Sequence, residues 1–244
     1  MLDKADHLIS RVKELGGNRV LSTVDLHVKQ ILPFLKEPRK VNIKELKESM
    51  VRLNKRSNQN AVEAIFAFGK AIELKDHYTG EHVDQTVHYA TEIAKELKLP
   101  HEDILLIKQA SMLHDLGKIG IGDKLLLKPA KLTPKEFLEI KKHPTIGADI
   151  IRPIHLLHGI IPHILYHHER WDGKGYPARL KGDKIPLGAR IIALADVYQA
   201  LTSNRPYRKA YSRKEALKII KKESGTHFDP RIVTAFLQVL KNIK

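Results

Sequence analysis

Apolar residues recur at helical spacing along almost the whole chain. In the stretch 80–98, Val83, Val87, Ala90, Ile93 and Leu97 fall on one stripe, the pattern of an amphipathic helix packed on a core. Thr79 is placed to cap it, and Leu99-Pro100 to end it. Further helices are predicted over 102–116, 145–152, 157–169, 187–202 and 212–222. Thr133-Pro134-Lys135-Glu136 reads as a capping box with proline in the first turn, and Ser212 with Glu215 repeats the motif. Asp229-Pro230 opens a final helix. Alternating runs bounded by hairpin turn signals are missing from the sequence, so the fold class predicted is an all-α bundle.

Two regions are expected. Residues 1–56 form a basic helical lead-in, too short for a large core of its own, whose role is to pack on the main domain or on a second subunit. The main domain is expected over 57–244, with KRSNQN (55–60) as a hinge or an exposed helical turn.

Composition narrows the chemistry. With 42% hydrophobic and 29% charged residues, the 244-residue chain suits a soluble globular protein. It has no apolar run long enough to span a bilayer and no signal-peptide pattern, so the cytoplasm is the expected location. Cysteine is absent, which removes disulfides and thiolate metal sites. A bound metal would need histidine and carboxylate ligands. The formal charge of +15 comes from lysines spread along the chain, which reads as a solvated basic exterior. No aromatic-rich recognition motif supports nucleic-acid binding.

The histidines supply the candidate site. His114-Asp115 lies in SMLHDLGKIG, near the end of an apolar helix. A buried carboxylate without a partner is costly, yet taken alone the pair reads as a core histidine bonded to its neighbours. It has company: His82 in the first turn of the 80–98 helix, His143 before Pro144, the adjacent His167-His168 at a helix end, and Asp196 inside IIALADVYQAL. Five histidines and two carboxylates suit two cations bridged by a carboxylate and a water better than one octahedral ion. Each ligating imidazole needs a partner for its other nitrogen; for the 167–168 pair, Glu169 or a backbone carbonyl is the candidate.

HDLGK, HHERWDGKGYP and ADVYQALTSNRPYR resemble the HD-GYP subgroup of the HD metal-dependent phosphohydrolases, and KDHYTGEH (75–82) and KKHP (141–144) match its pattern. The resemblance covers about residues 65–240 and implies an HD-type helical bundle with cyclic di-GMP phosphodiesterase activity, giving pGpG and often GMP. Carried over by motif, the metal ligands are His82, His114, Asp115, His143, His167, His168 and Asp196, with Asp115 bridging. His82, His114 and Asp196 are expected on one ion, with His143, His167 and His168 on the other. Lys118 is expected at a phosphate oxygen, the alternative being a solvated helix-end lysine, with Arg205 and Arg208 as further phosphate contacts, although either also reads as a surface charge, Arg208 the more so. Asp76 is placed as a proton shuttle or base contact, or as a turn cap. Tyr176 is expected at the mouth of the site, touching substrate, with Trp171 packing the loop in place.

One departure bears on the cofactors. Some family members carry a glutamate where this chain has Tyr78, and it helps to hold a third metal. Two divalent ions are therefore expected: iron or manganese first, with zinc and nickel as further fits. Alternatives are another cyclic dinucleotide or nucleotide as substrate, or a slow-turnover sensor that docks partners through the GYP loop. A homodimer through the N-terminal helices is a further expectation.

Overall fold

The computed structural model describes residues 63–67, 69–70, 81–128, 130–204 and 208–242, with Glu81 and His82 described for their backbone alone. The lead-in 1–56, Asp76, Tyr78, Thr79 and Arg205 lie outside the described residues. The chain divides into two units, Met1–Ser57 and Asn58–Lys244, and every described residue belongs to the second.

Past the helical residues at 63–67 and 69–70, the described residues form nine α-helices. These are α1 (Glu81–Glu96), α2 (His101–Leu113), α3 (Asp123–Leu126), α4 (Pro134–Ile140), α5 (His143–Ile151), α6 (Ile161–Leu165), α7 (Leu187–Thr202), α8 (Arg213–Lys222) and α9 (Pro230–Asn242). Short 3₁₀ turns occupy Leu116–Gly120, His155–Ile160 and Gly182–Lys184. Among the described residues there is no strand, only an isolated bridge between Ser224 and Phe228. The all-α expectation holds.

The two predicted capping boxes form, while Thr79, expected to cap α1, lies outside the described residues. Thr133 accepts from the Glu136 amide while the Glu136 carboxylate accepts from the Thr133 amide, and Ser212 with Glu215 does the same. Two predicted helices are shorter than the pattern suggested. The 157–169 stretch is a 3₁₀ turn followed by α6, because Pro162 lacks an amide hydrogen and fits only in the first turn of a new helix. The 102–116 helix stops at Leu113. Beyond it, a Cβ on Gly117 would sit 1.9 Å from the His143 carbonyl oxygen. That close approach of two backbones requires glycine.

Helix α7 is the central post, packing on α1, α2, α6, α8 and α9. Its neighbours Ile191 and Ile192 point to two different cores. Ile191 joins Ile93, Tyr198, Ile220 and Phe236, among others. Ile192 joins Leu113, Ile151, Leu157, Ile160 and Ile164. Fully burying such a side chain stabilises the fold by about 1.5–3 kcal/mol. Asp196 follows Ile192 by four residues, one helical turn on the same face. The second core therefore has a carboxylate at its upper edge.

Candidate metal centre

Three helices end at the site, and a histidine follows each end. His114 comes just after α2, His143 three residues past the end of α4, and His167 two past α6. The last carbonyls of a helix have no intrahelical partner. Each histidine supplies one: Nδ1 of His114 donates to Ser111 O at 2.8 Å, Nδ1 of His143 to Ile140 O at 2.8 Å, and Nδ1 of His167 to Ile164 O at 2.6 Å. A carbonyl only accepts, so the proton sits on Nδ1 in all three rings. For the neutral rings of His143 and His167, Nε2 is then a bare acceptor. The orienting partners are backbone carbonyls. Glu169 serves the loop instead, accepting from the Ala178 amide at 2.6 Å.

The acceptors converge. Nε2 of His143 lies 3.4 Å from Nε2 of His167. His143, His167 and His168 each offer a ligand nitrogen within 4.8 Å of the others, and the ring centres of His167 and His168 are 4.0 Å apart. Asp115 stands between this trio and His114. Its Oδ1 is 3.4 Å from His143 Nε2, and its Oδ2 is 3.3 Å from His114 Nε2 and 3.0 Å from Lys118 Nζ. Asp196 Oδ1 approaches His114 Nε2 at 3.9 Å. Three of the histidines are almost fully buried, at 1% exposure for His114 and His167 and 2% for His143, and His168 is half-buried.

Charges in the cluster sort as a cation site requires. Burial pushes Asp115 up, but Lys118, His114 and the other imidazoles together hold it well below the usual carboxylate range. His167 is held down to about 3 by burial and by the neighbouring His114 and His143, and His168 is lowered by burial and by the neighbouring His167 and His143. His114 is the exception: burial pulls it down, yet Asp115 and Asp196 outweigh burial and push it up to about 9. Without a cation, two carboxylates thus draw a proton to a buried Nε2 that has no well-aligned hydrogen-bond partner. The donor set fits divalent metal: nitrogens and ionised oxygens, with orienting hydrogen bonds in place.

Of the residues expected at the site, His114, Asp115, Lys118, His143, His167, His168 and Asp196 lie together. His82 belongs to α1, but its side chain is outside the described residues, as are Asp76 and Arg205. Tyr176 stacks on His168 with ring centres 4.8 Å apart, so one face of its ring is already taken. Arg208 differs from expectation. Its guanidinium donates to the carbonyls of Ala200, Leu201 and Lys209 and lies over the Tyr211 ring. It closes the C-terminal end of α7, where helix carbonyls lack partners. Trp171 packs as expected, with Arg190 and Arg231 each 5.5 Å from its ring centre.

Sequence reasoning named a backbone carbonyl for the 167–168 pair, which holds for His167, and missed those that orient His114 and His143, though a histidine one to three residues past a helix end signals them. At Gly175 the need for glycine is close approach, since a Cβ would meet Glu169 Cα at 2.5 Å and Arg170 N at 2.4 Å. This close packing sets the GYP loop, with its cis Tyr176-Pro177 peptide, directly against the 168–170 backbone.

A helical bundle with a buried histidine–aspartate centre defines the class, and comparison with known proteins agrees. The HD domain profile matches residues 40–232. A Vibrio cholerae protein named cyclic di-GMP phosphodiesterase is 45% identical over 191 residues, covering 72% of this chain and 39% of that protein. A second protein of that species, named 3'3'-cGAMP-specific phosphodiesterase 2, is 36% identical over 182 residues, covering 74% and 35%. Among solved structures, a cyclic GMP-AMP specific phosphodiesterase of V. cholerae matches with a TM-score of 0.58 at 22% identity, covering 74% of this chain and 49% of that one. The last likeness concerns the fold alone. This chain belongs to the HD domain family, in its HD-GYP subgroup. It spans less than half the length of each of the three proteins. No helix of the described residues is long and apolar enough to cross a membrane.

Proposed function

We propose that this chain is a metal-dependent phosphodiesterase that hydrolyses cyclic di-GMP to pGpG and onward to GMP. One observation carries the reading: Asp115 turns one carboxylate oxygen to His143 and the other to His114. That arrangement suits a carboxylate shared by two cations. The 45% identical relative named for cyclic di-GMP supports the choice of substrate.

Two divalent ions, iron or manganese, would supply charge stabilisation on the phosphate and a water of lowered pKa. His143, His167 and His168 would hold one ion, and His114 and Asp196, with His82, the other, with Asp115 placed to serve both. The buried rings keep their ligand nitrogens aimed inward through the Nδ1 bonds to carbonyls. Lys118, 16% exposed and beside Asp115, presents its ammonium to a phosphate oxygen. Tyr176 walls the mouth. Arg205 as a second phosphate contact and Asp76 as a proton shuttle complete the proposal from the sequence motifs. Residues 1–56 are assigned as a helical packing or dimerisation element and the cytoplasm as the setting, while docking of protein partners at the GYP loop goes with the sensor alternative.

The test uses the full chain purified anaerobically, with metal content measured before incubation with cyclic di-GMP. We expect about two metal ions per chain and the appearance of pGpG, lost in Asp115→Ala. Full metal occupancy without turnover of any cyclic dinucleotide would replace this reading with a sensor. The 36% identical relative supports a second substrate reading, 3'3'-cGAMP. Competition between the two dinucleotides for one enzyme decides it.

A further inference from the structure

A cavity of about 450 Å³ opens beside the metal centre, between the C-terminal end of α4 and the GYP loop. Its walls include Lys141, Lys174, Arg179, Leu138 and Tyr176. Tyr176 is the shared wall: it stacks on His168 on the metal side and lines the cavity. Lys141 is held at the rings, its ammonium 5.1 Å from the Tyr176 centre and 4.7 Å from that of Phe137. These are cation–π distances.

Three cations and no carboxylate line this space; the nearby loop acid Asp172, within reach of the Lys174 charge, is paired with Arg170 at 2.9 Å. Arg179 is held at φ 55°, in the left-handed region where glycine is least strained. Its local frame is fixed by the adjacent Ala178 amide, bonded to the buried Glu169 carboxylate. The loop therefore carries an arginine side chain at the cavity wall in a backbone conformation that arginine rarely adopts. Converging cations in a concave space of this size match an anionic small molecule.

We propose that this cavity is a second subsite: it receives the distal nucleotide half of a cyclic dinucleotide, with Lys141, Lys174 and Arg179 facing the phosphate that is not being cut. The inference rests on the phosphodiesterase reading of the neighbouring centre and extends it to residues that determine substrate choice. A diester with a single phosphate does not reach these cations. A cyclic dinucleotide does, and gains binding from them. The contacts are charge-assisted and partly exposed, so they weaken with salt.

The test compares two substrates, cyclic di-GMP and bis(p-nitrophenyl) phosphate, on the Mn²⁺-loaded full chain and its Lys141→Gln, Lys174→Gln and Arg179→Gly variants. The ratio of kcat/KM for cyclic di-GMP to that for the small diester should fall about tenfold in the triple variant, through KM. Arg179→Gly separates function from folding, because glycine relaxes the backbone while the charge is lost. Its thermal midpoint should hold or rise as the ratio falls. Equal loss on both substrates would overturn the subsite, since the residues would then be shaping the metal centre. So would an unchanged ratio, which would leave the cavity to a partner such as an acidic peptide. Fluorescence anisotropy with labelled cyclic di-GMP covers the case of an enzyme that cuts only the small diester. There, about tenfold weaker binding by the triple variant upholds the subsite even though the turnover reading has failed, and equal binding overturns both.

Discussion

Nε2 of His143 faces Nε2 of His167 across 3.4 Å, while Nδ1 of each ring donates to a carbonyl three residues earlier. Two lone pairs pointing at each other repel, and a cation turns that repulsion into coordination. Metal should therefore stabilise the fold. With free Mn²⁺ at a hundredfold its dissociation constant, one site adds about 2.7 kcal/mol. The thermal midpoint should drop on chelation and recover on adding Mn²⁺. His143→Ala should lose most of that increment.

Gly117 is the point where the turn after α2 meets the start of α5. An added Cβ would lie 1.9 Å from His143 O and 2.5 Å from Gly147 N, both backbone atoms that cannot turn aside. Gly117→Ala should cost about 3 kcal/mol as overpacking. It should also move His143 away from Asp115. Metal content, measured on folded protein, should fall together with the urea midpoint.

Asp229 is a buried carboxylate whose Oδ2 accepts from Arg190 at 2.7 Å and Arg231 at 2.8 Å. Those two guanidinium groups flank Trp171, which stands in the loop after the His167-His168 pair. Asp229→Ala would leave Arg190, 10% exposed, without its closest buried partner. The expected loss is about 3–5 kcal/mol. Trp171 is the chain's only tryptophan, so its emission should shift to the red as the loop loosens.

His227 gives a pH signature away from the histidine cluster. Burial, aided by Arg170, lowers its pKa to about 4. A histidine in the unfolded chain titrates near 6.5. Between these values the unfolded state takes up the proton that the folded state refuses, so stability falls as pH drops from about 6.5 to about 4. The loss from this residue is up to about 3 kcal/mol. His227→Gln should flatten that part of the curve when urea midpoints of the two proteins are subtracted across pH.

Arg208 separates a capping role from a substrate role. Its contacts in the structure are carbonyls at the end of α7 and the Tyr211 ring. Arg208→Ala should cost about 1 kcal/mol in stability and leave KM for cyclic di-GMP within about twofold. A tenfold rise in KM with stability intact would restore it to the phosphate.

The sequence by itself determined the helical class, the capping boxes at Thr133 and Ser212, and α7 at Leu187–Thr202. These depend on local periodicity and on hydrogen bonds spanning three or four residues, which a linear string records. It also supplied the residue types of a cation site, since histidine and aspartate in apolar helices have few structural uses. Tertiary structure decided what those residues do together. Leu113 ends α2 because Gly117 must meet the backbone of another helix, and the pattern 102–116 holds no trace of that helix. Asp115 lies between His114 and His143 because three helix ends converge. Arg208 turns back to the α7 carbonyls seven and eight residues before it, and Lys141 joins Lys174 and Arg179, more than thirty residues on, around one cavity. Distances of this kind arise only when packing brings separate segments together, so no local pattern encodes them.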